Sequence, residues 1–505
     1  MADRNLGPDR WRRNQGYLNK TMTKISSQPS GKSAEAAEYD LVILGSGAGG
    51  KLAAWTYGKQ GKRVAVIERK YIGGACPNIA CLPSKNIIHS AKVASYFDRA
   101  KEFGIDNKGF AIDMTAVRER KRKMVSGLVD VHLEHYKASG TDLIIGSGRF
   151  IGPKTLEVIL PDGTTRQVRG TNVMIDTGTR ATIEPIPGLA EAEPLTHIEA
   201  LELGEIPEHL LVLGGGYVGL ELSQAMRRFG SKVTIIERHD RLVHQEDDDV
   251  TDALRNLFED EGIELVLNTR LKRVSGKSGD SVNIVLEQNG TERTLTGTHI
   301  LVAAGRAPNT KDIGLDVAGV KLTDAGYVQV NERLETTVPG VWAVGDVAGS
   351  PKFTHISVDD FRVVLANIAG GKSVTTNRQV PSCLFTDPEL AHVGLSEKEA
   401  WAKGIPYRLF KIPMAHAVLR VHTLSETRGF LKALVATDSD RIIGFTAFGV
   451  GAGEIMAAVQ VAMIAGLPYA ALSDAVIAHP TLAEGIGPLF GSLLEVIDPK
   501  AKSRA

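Results

Sequence analysis

The stretch Tyr39-Asp40-Leu41-Val42-Ile43-Leu44-Gly45-Ser46-Gly47-Ala48-Gly49-Gly50 runs an apolar segment straight into a glycine-rich turn. The pattern predicts a strand, a tight turn and then a helix from Lys51 to about Gln60. A second strand, Arg63-Val64-Ala65-Val66-Ile67, ends at Glu68. In such a turn Gly45 permits the bend, Gly47 lets backbone approach a pyrophosphate, and Gly50 lets the helix pack on the strand. The first amides of the helix add unpaired donors and partial positive charge. Glu68 lies 23 positions after Gly45, where a carboxylate can accept hydrogen bonds from ribose hydroxyls.

The same phrase returns downstream. Leu210-Leu211-Val212-Leu213 leads into Gly214-Gly215-Gly216-Tyr217-Val218-Gly219, and Val233-Thr234-Ile235-Ile236 ends at Glu237, again 23 positions after the first glycine. Two copies with equal spacing predict two nucleotide-binding domains, one for a flavin and one for a nicotinamide dinucleotide. Glu237 would repel a 2′-phosphate, so NADH is expected over NADPH, with Arg238 as the residue that could reverse this. Further on, Val341-Trp342-Ala343-Val344-Gly345-Asp346 reads as a strand ending in a glycine and an acid, a return to the first domain. After about Gln379 strands and helices continue without a glycine fingerprint, which predicts a third domain.

Composition narrows the function classes. The 505 residues carry 59 Lys plus Arg against 59 Asp plus Glu, so no net field selects nucleic acid or an acidic partner. No apolar run reaches the length of a membrane span. Only three cysteines are present, which fits a reducing compartment, the cytoplasm. Residues 1–37 read as a polar tail; a transit peptide is the alternative, and Asp3 and Asp9 stand against it.

Two of those cysteines lie in Gly73-Gly74-Ala75-Cys76-Pro77-Asn78-Ile79-Ala80-Cys81-Leu82-Pro83-Ser84-Lys85. With Cys383 far away, the pair is neither a disulfide framework nor a zinc site; a redox-active dithiol is the remaining reading. A helix beginning within the motif would bring the sulfurs together, with Pro77 in its first turn. Helix amides and Lys85 would then favour a Cys81 thiolate. Cys383 alternates with apolar residues and reads as an inert strand thiol. His479-Pro480-Thr481-Leu482-Ala483-Glu484 offers a histidine able to move a thiol proton and a carboxylate able to fix its tautomer. Glu246-Asp247-Asp248-Asp249 is expected to cap the helix that follows it rather than to bind metal, and His355 to be a packed loop residue.

The order of these elements resembles the flavoprotein pyridine-nucleotide disulfide oxidoreductases, the group holding dihydrolipoamide dehydrogenase, glutathione reductase and mercuric reductase. The resemblance spans about residues 38 to 500 and rests on GSGAGG, GGACPNIACLPSK, Thr177-Gly178, GGGYVGLE, AGRAPN around Gly305, AVGD and HPTLAE. It implies an α/β fold with two Rossmann-like dinucleotide-binding domains, for FAD and NAD(P), plus a C-terminal α+β dimerisation domain. The implied boundaries are 38–187 and 309–378 for the FAD domain, 188–308 for the NAD(P) domain and 379–505 for dimerisation.

By the same resemblance Cys81 would be the thiolate facing the flavin, Cys76 the thiol that attacks substrate, and Lys85 a partner near the flavin. Gly178, Gly305, Gly345 and Asp346 would hold FAD, Tyr217 would cover the nicotinamide side, and Glu221 would lie near the carboxamide. His479 and Glu484 would come from the second subunit of a homodimer. The expected partner is a disulfide or dithiol, with no nucleic acid or membrane. Pro77 and Ala80 depart from the pattern of close relatives. The stretch around Asp359-Asp360-Phe361-Arg362 and the ending HPTLAEGIGPLF look closer to a mercuric-reductase-like or reactive-chlorine-resistance branch. The expected activity is dihydrolipoamide-dehydrogenase-like. Reduction of a metal ion or inorganic oxidant is the second reading, and a structural FAD-binding subunit of a larger complex the third.

Overall fold

The computed structural model describes residues 36–502. The tail expected over residues 1–37 lies outside the described residues except for Ala36 and Ala37, and Ala37 already opens the first strand, Ala37–Leu44. In that strand Leu41, Val42, Ile43 and Leu44 are all buried. Burial on both faces explains a continuous apolar run in place of alternation. Its parallel neighbours are Val64–Glu68 on one side and Thr165–Ile175 on the other. Asp142–Ile145 extends the sheet beyond Val64–Glu68. The hairpin of Ser147–Gly152 and Thr155–Ile159 meets the opposite edge at Thr165–Ile175. The late strand Val341–Ala343 also pairs parallel with Thr165–Ile175, so the chain does come back to this sheet.

A second parallel sheet orders Glu264–Val266, Lys232–Ile236, His209–Leu213 and His299–Val302. Beside it lies an antiparallel three-stranded sheet of Arg270–Lys277, Ser281–Gln288 and Thr291–Gly297. The C-terminal part is a six-stranded sheet in which Phe430–Ala436 and Ile442–Gly449 are central, joined antiparallel at every pairing. The helix Ala452–Ile464 packs on it through Ile455, Met456 and Val459. Each such buried aliphatic side chain contributes about 1.5–3 kcal/mol of transfer free energy.

The acidic run opens the helix Asp248–Asp260 as expected, with Asp247 at the N-cap position and Asp248 and Asp249 in the first turn, but it has a second task. Asp247 precedes the helix Asp248–Asp260, yet its side chain makes no bond to that helix. Instead it accepts the amides of Glu397 and Lys398, each at 3.0 Å, capping a helix of the C-terminal part. Lys432, fully buried, donates to Asp247 at 2.8 Å, Asp249 at 2.8 Å and Glu397 at 3.0 Å. Those three carboxylates lie close enough to ligate a cation, and the ammonium fills that place. Burial alone would pull the Lys432 pKa down, but the three acids push it up.

Candidate active site

The two thiols sit on separate pieces of helix. Cys76 belongs to a short turn, Ala75–Asn78, whereas Cys81 is the first residue of the helix Cys81–Asp98. Helix does begin within the motif, as expected, but in two pieces, with Ala80 at φ −131° and ψ −103° between them. Pro77 does fall in the first turn of the short piece, where its missing amide costs nothing. The break still leaves the sulfurs close enough to act on each other.

That contact splits the pair. The bond from Cys76 pulls the Cys81 thiol down to about 6, against the effect of burial, with Thr354 and Lys85 acting in the same direction. The same bond and burial push Cys76 up. The surroundings of Cys81, at a helix start beside Thr354 and Lys85, therefore favour its thiolate over that of Cys76. The Thr354 hydroxyl lies 3.4 Å from Cys81 Sγ, at the start of the helix Thr354–Ile368. His355 is in that same helical turn rather than in a loop, stacked on Phe353 at 5.2 Å and bonded to the Pro381 carbonyl at 2.8 Å. Lys85 is held by Glu221.

Lys51 donates to the Gly73 carbonyl at 3.1 Å and contacts His132 Nε2 at 2.7 Å, bracing the loop that carries Cys76. Burial lowers the pKa of both Lys51 and His132. Cys383 is half-buried on the strand Ser382–Leu384, and burial, with Glu389 beside it, pushes its thiol up to about 12. It is a poor nucleophile.

His479 Nδ1 and Glu484 Oε2 are 2.8 Å apart, so the expected histidine–carboxylate pair is formed. Glu484 reaches back from a 3₁₀ turn, Ala483–Gly485. The His479 side chain is 66% exposed, while the groups acting on the thiols within this chain are Lys51, Lys85, Thr354 and Glu221. One chain alone does not join His479 to the dithiol.

Both glycine turns form with the required backbone: Gly45 has φ +99° and Gly214 φ +111°. The helices begin at Ala48 and Tyr217, each three residues before the expected starts at Lys51 and Leu220. At Gly219 an added Cβ would lie 2.0 Å from the Gly214 carbonyl, which leaves room for glycine alone. Each acid braces its own turn. Glu68 accepts from Ser46 N at 3.0 Å, Ser46 Oγ at 2.7 Å, Lys70 N at 2.7 Å and Tyr71 N at 2.9 Å. Those four bonds fill its acceptor capacity, so a ribose could bind only by displacing one of them. Among the described residues Glu237 accepts two bonds, from Gly215 N at 2.7 Å and His239 N at 2.9 Å. Its remaining lone pairs face a cavity of about 880 Å³ bounded by Gly214–Tyr217, Arg238, His239, His244 and Phe353.

The residues present fit both dinucleotides. Glycine turns with helix amides suit pyrophosphates, and the cavity at the second turn has the volume of a nicotinamide coenzyme site. At the first turn, Asp346 accepts from Thr179 Oγ1 at 2.5 Å beside Arg306, and Gly178 and Gly345, at φ +64° and +65°, bring backbone close.

A model of the pyridine nucleotide-disulphide oxidoreductases matches residues 39–360, and a model of their dimerisation domain matches residues 380–489. The chain is a pyridine nucleotide-disulphide oxidoreductase. Three relatives illustrate the span of the family. The probable pyridine nucleotide-disulfide oxidoreductase RclA of Escherichia coli is 34% identical over 90% of this chain and 99% of its own length. A dihydrolipoyl dehydrogenase of Thermus scotoductus is 35% identical over 89% of this chain and 96% of its own. A mercuric reductase of Staphylococcus aureus is 33% identical over 91% and 84%. The solved structure titled HOCl-induced flavoprotein disulfide reductase RclA, from Escherichia coli, superimposes with a TM-score of 0.81 at 33% identity, over 90% of this chain and 99% of that one. As a member of this family the oxidoreductase is an enzyme that acts on sulfur groups with NAD(P)H, and family membership implies FAD.

Sequence reasoning passed over Thr354, Lys51, His132 and Asp176 in this oxidoreductase. Thr354 and Asp176 stand beside residues singled out as His355 and Thr177-Gly178, but nothing in their spacing says which site they face. Lys51 follows the first glycine turn directly, and its side chain leaves the turn for the thiol loop.

Proposed function

We propose that the enzyme is a homodimer that carries electrons from NADH to an oxidised thiol, with Cys76 and Cys81 as the relay. The observation that carries this reading is the placement of the thiols, Cys76 on the short turn Ala75–Asn78 and Cys81 at the first residue of the next helix, with the Thr354 hydroxyl 3.4 Å from its sulfur and Lys85 one turn further on. Bound FAD would supply hydride acceptance on one face and transfer of an electron pair to a disulfide on the other. Its holders would be Gly45, Gly47, Gly50, Glu68, Gly178, Gly305, Gly345 and Asp346. Tyr217, Gly214, Gly216, Gly219 and Glu237 would hold the coenzyme. Glu237 favours NADH, because its free lone pairs suit ribose hydroxyls and its charge repels a 2′-phosphate.

Reduction of the disulfide leaves Cys81 as thiolate and Cys76 as thiol. Cys76, once deprotonated, attacks an acceptor disulfide; Cys81 then attacks the mixed disulfide, and the two thiols of the product leave. His479 of the partner subunit takes the Cys76 proton and delivers it to the leaving thiolate, its tautomer fixed by the carboxylate on Nδ1. The dimer is supported by the dimerisation-domain match and by exposed Val461, Ile464, Val476 and Leu494 on the C-terminal part. No helix of the described residues is long and apolar enough to cross a membrane. The scarcity of cysteine supports a cytoplasmic setting.

Anaerobic titration with one equivalent of NADH tests the relay. Wild type should develop a long-wavelength thiolate–flavin absorbance band on reduction, Cys76→Ser should show the band before NADH is added and lose it as the flavin is reduced, and Cys81→Ser should show it in neither state; a band that survives in Cys81→Ser refutes the assignment.

A second reading has support of its own. RclA, matched over 99% of its length, is titled an HOCl-induced reductase and is described in a Cu(II) complex. By that likeness the acceptor would be a product of reactive chlorine or a metal ion in place of lipoamide. Comparing turnover on lipoamide, glutathione disulfide, hypothiocyanous acid, Cu(II) and Hg(II) decides between the readings.

A further inference from the structure

The two glycine turns match in sequence, but they differ in what lies under the second glycine. Gly216 is open: an added Cβ would meet nothing within 4 Å, so its backbone is free to receive a phosphate. Gly47, its counterpart, is covered, because a Cβ there would lie 2.6 and 2.8 Å from the two carboxylate oxygens of Asp176. Asp176 Oδ2 also accepts the Gly50 amide at 2.7 Å, one of the helix donors an anion would use.

The cause is a single position. Asp176 follows the strand Thr165–Ile175 and donates its amide to the Leu44 carbonyl at 2.8 Å; Ala303 follows the strand His299–Val302 and donates to Leu213 at 2.8 Å. Gly45 rests on the Asp176 carbonyl as Gly214 rests on that of Ala303. The two sites are therefore equivalent, and the first has a carboxyl group where the second has a methyl. Asp176 is 7% exposed. Glu68, Asp346 and Lys51 act on it, and the buried phenol of Tyr136, on the helix Met114–Ala138, feels it in turn. Burial foremost, then Asp346 and Glu68, push its pKa up, while the Gly50 amide and Lys51 oppose them.

An ionised carboxylate at this place would repel a pyrophosphate. A neutral acid can donate to it while its other oxygen keeps the Gly50 amide. We propose that Asp176 is a flavin-positioning residue which acts in its protonated form, donating a hydrogen bond to the cofactor's pyrophosphate, so that flavin is held together with one proton. This rests on reading the first turn as the flavin site. The sign follows: the neutral form holds flavin at low pH, and retention weakens as rising pH removes the proton.

The test uses flavin-loaded enzyme equilibrated between about pH 6 and about pH 9.5, with free flavin measured by fluorescence after ultrafiltration. In wild type the flavin Kd should rise by up to about tenfold per pH unit above the midpoint. Asp176→Asn keeps a donor and cannot ionise, so its Kd should stay flat. Asp176→Ser, which keeps a hydroxyl donor, provides the same comparison if the Asn variant does not fold. An equal slope in wild type and variants, a wild-type Kd that falls as pH rises, or a folded Asn variant without affinity for flavin would overturn the proposal. Wild type that never binds flavin would overturn the reading of the turn itself, and the role of Asp176 with it.

Discussion

Lys85 Nζ lies 2.7 Å from Glu221 Oε2, a bond between the helix that begins at Cys81 and the helix that begins at Tyr217. Glu221 also accepts the Phe385 amide at 3.0 Å, and Lys85 sits 4.6 Å from the centre of the Phe385 ring. The thiol helix, the coenzyme helix and the C-terminal part therefore meet at one ion pair. It holds a positive charge one helical turn from Cys81.

Replacing that charge should show in the thiolate. Lys85→Met removes one of the groups that hold the Cys81 pKa down near 6. The midpoint of the thiolate–flavin absorbance band, titrated in the two-electron-reduced enzyme, should move up by roughly one pH unit. The band would then be lost at a higher pH than in wild type as the solution is acidified. Lys85→Arg keeps the charge and should restore most of the shift.

Two glycines of the second turn should fail in different ways. Gly216→Ala meets no atom in the protein, so its melting temperature should stay near wild type while the KM for NADH rises, by roughly tenfold or more if the methyl blocks the pyrophosphate. Gly219→Ala forces a Cβ to 2.0 Å from the Gly214 carbonyl, and it should lower stability as well. Thermal melts alongside steady-state kinetics separate the two.

The exposed pair of His479 and Glu484 should matter for acceptor turnover only. His479→Ala should cut dithiol exchange by about 10²–10⁴-fold, and Glu484→Gln by less, since the ring remains. Rapid-mixing reduction of the enzyme by NADH should be unchanged in both. A slowed reductive half-reaction would place the pair elsewhere in the cycle.

Lys432 neutralises three acids in the fold, so Lys432→Met should destabilise the enzyme by about 3–5 kcal/mol, read from urea denaturation. Adding Asp247→Asn should recover part of the loss, because one of the stranded carboxylates is gone.

Much of this was legible in the chain itself. Strand, glycine turn, helix and acid recur with a fixed spacing because covalent geometry and backbone sterics impose it locally, at Gly45 through Glu68 and again at Gly214 through Glu237. The pairing of His479 with Glu484 was legible for the same reason, since five positions and a turn bring them together. The break at Ala80 was not, because alanine favours helix and nothing local marks the interruption.

The amino-acid order therefore determined the family, the two glycine turns, the neighbouring cysteines and the histidine–carboxylate pair, all of them properties of short segments. Tertiary structure alone decided that Asp247 caps a distant helix, that Lys432 takes the place of a cation, that Thr354 reaches Cys81 and that Asp176 fills the space beneath Gly47. Each of those is a contact between residues far apart in sequence. Burial and the partner across the gap fix which charge state and which bond a side chain adopts, and neither is encoded at the residue itself.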